Sequence, residues 1–185
     1  MTNFITAAEF RAVPLGVSLK QITDEQLDEL ISVAQENVEA FCDRHFASAY
    51  YTEEWMGDGS TKYITEEYPI ISVVTLTQTD PSSGTVTSLD ITKLRNMPLQ
   101  TASGIIELDG YDTVTTFSTA YKYSIYYRAG YTTIPVAIKH ATKLWTAELL
   151  QPDFAGATTT TPNVIPITTE QITELLIPYK RQRIW

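Results

Sequence analysis

From residue 23 to residue 41 the apolar side chains Leu27, Leu30, Ile31, Ala34, Val38 and Phe41 recur every third or fourth position. That spacing marks one face of an α-helix. Thr23 precedes the run and Gln26 follows three residues later, the pattern of a capping box that occupies free backbone N–H groups. Asp24 and Glu25 fall in the first turn, where the helix dipole favours negative charge. Asp28, Glu29, Gln35, Glu36 and Asp43 fall largely off the apolar stripe. The helix near 23–46 is therefore predicted to bury one face and to show an acidic one to water or to a lumen. Upstream, "TAAEFRAVPLG" predicts a short helix stopped before Pro14, with residues 14–22 as a linker.

Beyond residue 50 the period shortens to two. "IISVVTLTQT" (70–79) is rich in β-branched residues, and "SGIIEL" and "TVTTF" are shorter strand candidates. "AYKYSIYYR" (120–128) places Tyr121, Tyr123, Ile125 and Tyr127 on one face, the alternation of a half-buried antiparallel strand. "GDGS" (57–60), "DPSSG" (80–84) and "DGYD" (109–112) supply turn chemistry between these runs, the first read as a hairpin turn. Gly130 then lets the backbone leave the strand through a positive φ. Pro135 opens a second helix carrying Ile138, Ala141, Leu144, Trp145 and Leu149, which is expected to stop before Pro152. The Thr-rich stretch 154–166 reads as an extended loop, and "TTEQITELL" as a last short helix, capped by Thr168 or Thr169 and ending before Pro178. The predicted class is α+β. A small helical bundle (helices near 23–46, 135–150 and 168–177) carries an inserted antiparallel β region near 50–130, with an extended C-terminal tail. Residues 1–49 and 131–167 form the helical core.

Composition narrows the partners. The chain has 185 residues with 43% apolar and 19% charged side chains, a globular balance. The formal charge is -9, and residues 1–60 hold eleven acids against three bases. A protein gripping DNA phosphates needs clustered Lys and Arg, and only "PYKRQRIW" at the C-terminus is basic. The single cysteine forbids an intrachain disulfide and points to a reducing compartment. No apolar run approaches the ~20 residues that cross a bilayer, and "MTNFITAAEF" lacks the features of a signal peptide.

Candidate chemistry is sparse. His45 and Cys42 lie three apart on one predicted helix, but two histidines and one cysteine do not make a zinc site. Cys42 reads as a buried small hydrophobe. No G-x-S-x-G elbow or P-loop ending is present, and "GDGS" lacks the carboxylate ladder of a calcium loop. Glu53, Glu54, Glu66 and Glu67 are acids that glycoside chemistry could pair, with solvated strand edges as the plainer reading. The face formed by Tyr121, Tyr123 and Tyr127 suits either a partly buried strand, a subunit interface or a sugar platform. No metal, cofactor or catalytic residue is assigned. The expected character is non-enzymatic, with a carbohydrate-binding or tail-associated β module and a small hydrolase as the alternatives.

Four local patterns in order carry a resemblance. They are the aromatic-basic helix end around Phe41, Arg44 and Phe46; Tyr68–Val73 within "EYPIISVVTL"; Tyr127-Arg128-Ala129-Gly130-Tyr131 followed by Ile134-Pro135; and Leu175–Tyr179 followed by basic residues. Together they resemble the head–tail connector, or adaptor, family of tailed bacteriophages. The resemblance implies a structural protein made in the host cytoplasm and placed at the virion neck. It implies a ring, commonly of twelve copies, beneath the portal protein. Such a ring extends the channel through which double-stranded DNA passes without specific binding, and it docks the tail or a stopper protein. It further implies that residues 168–185 reach from the body to the portal, through Tyr179, Lys180 and Arg181. To these, Arg183, Ile184 and Trp185 are added here, because a terminal Trp beside cations is costly to leave in water. In such a ring Tyr121, Tyr123 and Tyr127 are candidates for the subunit interface, and Asp28, Glu29 and Glu36 for the lumen. The β portion is long for helix-dominated members, and its hairpins are a candidate contact with the tail side.

Overall fold

In the computed structural model, which describes residues 3–12, 22–94, 104–108, 116–154 and 169–181, two threonines open helices in the same way. The Thr6 hydroxyl accepts from the Glu9 N–H at 3.1 Å, and the Glu9 carboxylate accepts from the Thr6 N–H at 2.9 Å, starting α1 (Ala7–Arg11). Thr23 and Gln26 repeat the exchange at 3.3 and 3.1 Å to start α2 (Asp24–Cys42). Each pair satisfies two backbone donors that the first turn leaves without partners. Arg11 then ties the two helices, donating to Asp24 at 2.9 Å and to the Ile22 carbonyl at 2.7 Å.

The chain divides into two compact units, Met1–Arg44 with Thr133–Trp185, and His45–Thr132. The first unit is helical. The Pro135 carbonyl accepts from the Lys139 N–H at 3.1 Å at the start of α3 (Val136–Phe154), and α4 (Thr169–Leu176) runs into a 3-10 turn, Ile177–Tyr179. Helix α3 packs against both α2 and α4. Its Thr142 and Thr146 are buried because each hydroxyl donates to the carbonyl one turn earlier, at 2.9 and 2.8 Å. The core joins Ile5, Phe10, Leu27, Ile31, Ala147 and Leu150.

Several helical expectations need correction. Helix α2 ends at Cys42, not near 46, because Asp43 turns left-handed with φ 53°. Gln35 is buried, since its amide oxygen accepts from the Phe4 N–H at 3.0 Å, whereas the predicted stripe left it outside. Helix α3 passes Pro152 and ends at Phe154. A proline near the end of a helix withdraws its own N–H but leaves later residues able to donate to the preceding turn. The last helix lies where it was expected, at Thr169–Leu176, but residues 177–181 beyond it are not an extended tail. Ile172 and Leu176 have no exposed surface, and the Arg181 N–H donates to the Cys42 carbonyl at 2.9 Å. The expected linker at 14–22 falls almost entirely on 13–21, and the Thr-rich loop after Phe154 falls on 155–168. Both lie outside the described residues, as do "DGYD" and 113–115 of "TVTTF".

The second unit is β. Strands β1 (Ala49–Met56), β3 (Ile70–Thr79), β4 (Val86–Ser88) and β6 (Lys122–Ala129) form an antiparallel sheet in the order β1-β6-β3-β4. Strands β2 (Lys62–Ile64) and β5 (Ile105–Glu107) form a second, two-stranded sheet. "DPSSG" is the turn of the β3–β4 hairpin, closed by Asp80 N–H to Thr85 carbonyl at 2.9 Å. "GDGS" is a turn but not a hairpin, because it links β1 and β2, which belong to different sheets. Gly130, φ 103°, ends β6, and a Cβ there would stand 2.6 Å from the Ala47 carbonyl oxygen. The core contains Leu76, Ile106, Phe117, Tyr123, Ile125 and Tyr127, with Trp55 stacked on Tyr63 at 3.6 Å between ring centres.

One carboxylate joins the two sheets. Glu53 of β1 accepts from the Tyr63 hydroxyl of β2 at 2.8 Å, from the Glu66 N–H at 2.9 Å and from the Tyr127 hydroxyl of β6. Burial, and next the neighbouring Glu53, push both phenols well above the usual tyrosine range. Their raised folded pKa contributes stability that is complete below the unfolded value of ~10 and declines as pH rises above it. We expect Glu53→Gln to cost about 1–3 kcal/mol in urea unfolding, because an amide offers one accepting oxygen to two phenols and strands one of them. A midpoint equal to wild type would contradict the clamp. In alkaline titration, tyrosinate absorbance from Tyr63 and Tyr127 should appear only with unfolding, and Tyr63→Phe with Tyr127→Phe should flatten the loss of stability above pH ~10.

Candidate functional site

No cluster of three or more His, Cys, Asp or Glu suited to a metal ion occurs among the described residues. Cys42 is fully buried, and desolvation pushes its thiol up to about 11, so it is not a nucleophile at neutral pH. Of the four glutamates considered for acid–base work, Glu53 is the clamp described above. Glu54 points to the opposite face and pairs with Lys122 at 2.6 Å. The Glu67 carboxylate accepts from the His45 N–H at 3.1 Å. A shallow cavity of about 200 Å³ at the β3–β4 hairpin is lined by Gln78, Asp80, Thr85, Thr87 and Tyr121 among others. Its carboxylate is committed to its own turn: Ser82 donates to Asp80 through its hydroxyl at 2.7 Å and its N–H at 2.8 Å, holding that pKa low.

What the chain presents is surface. Strand β6 is interior to its sheet, flanked by β1 and β3, and its residues 123, 125, 127 and 129 are buried while 122 and 126 are exposed. Tyr123 and Tyr127 therefore expose no ring, which corrects their assignment to a subunit interface and equally removes a sugar platform built on them. The physical reason is that both hydroxyls are used inside: Tyr123 accepts from the Ser118 N–H at 3.0 Å, and Tyr127 accepts from the Glu67 N–H at 3.1 Å. Tyr121 is half-buried beside the hairpin cavity.

The opposite face carries a different aromatic pair. Tyr50 and Tyr126 are 57% and 39% exposed and stack with centres 5.4 Å apart. The Arg128 guanidinium lies 5.9 Å from the Tyr50 ring centre and donates to the Ser48 hydroxyl at 3.0 Å. Tyr and Arg together are the side chains that most often anchor protein interfaces. Residue type alone could not pick this pair, because β6 carries tyrosine on both faces. Only its register against β1, which sets Tyr50 opposite Arg128 and Tyr51 opposite Tyr127, separates the two sets.

The remaining candidates lie in the helical unit. Asp28, Glu29 and Glu36 are exposed on α2, opposite the buried Leu27, Ile31, Ala34 and Val38. Tyr179 is half-buried, Lys180 is exposed with its Nζ 4.9 Å from the Phe41 ring centre, and Arg181 is half-buried. Arg183, Ile184 and Trp185 lie outside the described residues.

The chain is thus a two-unit α+β protein with an exposed tyrosine pair on its sheet and an acidic face on α2. The model of the head completion protein family matches residues 3–181, and the chain belongs to that family. The role that the family's description gives is a structural one, completion of the head. No curated protein sequence matches the chain. Its fold is similar to that of a chain in the neck of an empty gene transfer agent (GTA) particle computed with C6 symmetry. The TM-score is 0.62 at 17% identity, over 98% of this chain and 91% of that one. A chain from the virion of the native GTA particle gives 0.61 at 16% identity, over 98% and 91%. One from the neck of the native GTA particle computed with C12 symmetry gives 0.56 at 18% identity, over 100% and 97%.

The two faces of β6 make opposite demands. Tyr123→Ala should cost about 3–5 kcal/mol in chemical unfolding, as deletion of a core aromatic does. Tyr126→Ala should stay within ~1 kcal/mol of wild type. Equal losses for the two would show that the register described here is not the one in solution.

Proposed function

We propose that the chain forms a ring beneath the portal protein, commonly of twelve copies, that lengthens the DNA channel and docks the tail or a stopper protein, and that it catalyses no reaction. Membership of the head completion family supports the neck assignment. The observation that carries the finer reading is the exposed Tyr50–Tyr126 pair on a sheet face, with the half-buried Arg128 beside it. Stacked rings lose little side-chain entropy on docking, and a desolvated Arg adds directional hydrogen bonds, so this set suits the contact between neighbouring copies. In this reading the face of α2 bearing Asp28, Glu29 and Glu36 lines the channel. Its charge keeps the duplex away by a repulsion that decays over roughly 10 Å at ordinary salt, and DNA passes without being held. The C-terminal segment, with Tyr179, Lys180, Arg181, Arg183, Ile184 and Trp185, is the portal contact. Its cations seek an acidic surface, and its terminal aromatic is an anchor.

The experiment is assembly on purified portal rings. Tyr50→Ala combined with Arg128→Glu should leave unfolding nearly unchanged, within ~1 kcal/mol, and lower ring occupancy by about tenfold or more. Deleting residues 179–185 should abolish attachment of even the first copy. Full rings from the double variant would remove the sheet face from the interface. Undiminished attachment of the truncated chain would remove the tail from the portal contact.

A further inference from the structure

The C-terminal end of α2 is completed from far along the chain. The last carbonyls of a helix have no partners within it, and its dipole leaves negative charge there. The left-handed Asp43 lets the Arg44 N–H reach the Glu39 carbonyl at 3.2 Å, while the Asp43 N–H reaches that of Ala40 at 3.3 Å. The Cys42 carbonyl is taken by the Arg181 N–H at 2.9 Å. Helix α2 has no basic residue in its own last turn, and positive charge comes from Arg44 just beyond it and from Lys180, poised over Phe41 at 4.9 Å. Leu176 and Ile172 seat the strap with no exposed surface, and the Cys42 thiol faces the Leu176 carbonyl at 3.9 Å. By contrast, the adjoining Ile177 is 62% exposed.

We propose that Ile177–Arg181 is a clasp that caps α2 and shelters Cys42 in the free chain, and that it opens when the C-terminal segment engages an acidic partner surface. The inference rests on the portal reading above and adds an exclusion. The backbone and cations of residues 180–181 serve either as the cap of α2 or as a partner contact, not as both. Engagement then carries the cost of opening, and a chain with a loosened clasp binds more tightly by the factor it is pre-opened.

The sole cysteine makes this measurable, because thiol labelling under native conditions requires opening of the cover. Wild type should react slowly with a maleimide. Phe41→Ala, which removes the seat of Lys180, should raise the rate by about tenfold or more, and Leu176→Ala gives an independent loosening should the first variant fold poorly. Neither residue is a proposed portal contact. Both variants should bind portal rings more tightly by a similar factor, and wild-type Cys42 should become reactive once bound. Faster labelling without tighter binding, or a bound chain whose Cys42 stays protected, overturns the clasp and leaves the portal contact standing. Unchanged labelling in both variants overturns the clasp outright. If neither wild type nor variants bind portal rings, the portal reading falls and the release with it. The capping, read from the labelling rates of the free chains, is then judged separately.

Discussion

The β unit closes around a single carboxylate. Glu53 receives two phenols and one backbone N–H from two separate stretches of chain, 63–66 and β6, and through them the four-stranded and two-stranded sheets are held together. A half-buried carboxylate is tolerable only when its oxygens are occupied, and a buried phenol only when its hydroxyl is. Here each solves the other's problem. The cost of that solution is positional: Tyr63 and Tyr127 must point inward, and Trp55, Phe117 and Tyr123 pack in around them. The outward face of β6 is left to a second set of side chains. In this way an internal hydrogen-bonding demand determines which aromatics are free to meet another protein.

Helix α2 shows the same dependence of surface on interior, along one element. Its N-terminus is self-sufficient, since Thr23 and Gln26 satisfy the first donors and Asp24 and Glu25 suit the dipole. Its C-terminus is not, and borrows a donor from Arg181 and a cation from Lys180. Between the ends, one side is sealed by Leu27, Ile31, Ala34 and Val38, and the other bears acids.

The groups raised mainly by burial, Cys42, Tyr63, Tyr123 and Tyr127, do not line the shallow cavity at the hairpin, and Asp80, which does, is lowered by the hydrogen bonds of its own turn. Shifts that come from desolvation inside a packed core report stability, whereas functional shifts arise where groups converge on open space. That distinction agrees with membership of a structural family of the head–tail junction.

Features settled within a few residues were legible in the chain alone. The capping box at Thr23, the β-branched run that became β3, the left-handed exit at Gly130, the helix opened beside Pro135 and the exposure of Asp28, Glu29 and Glu36 all follow from neighbours one turn or one pleat away. Features that depend on distant partners were not. Glu53 and Tyr127 are 74 positions apart, and Cys42 and Leu176 are 134 apart. The tyrosines of β6 occupy both faces, so alternation could state that they divide but not which set is covered. Residues 178–181 read as the start of a loose basic tail, and only the unfilled carbonyls of α2 gave them a seat. The physical reason is the same in each case: periodicity is a local property of the backbone, while burial and hydrogen-bond satisfaction are decided by whatever the fold brings alongside.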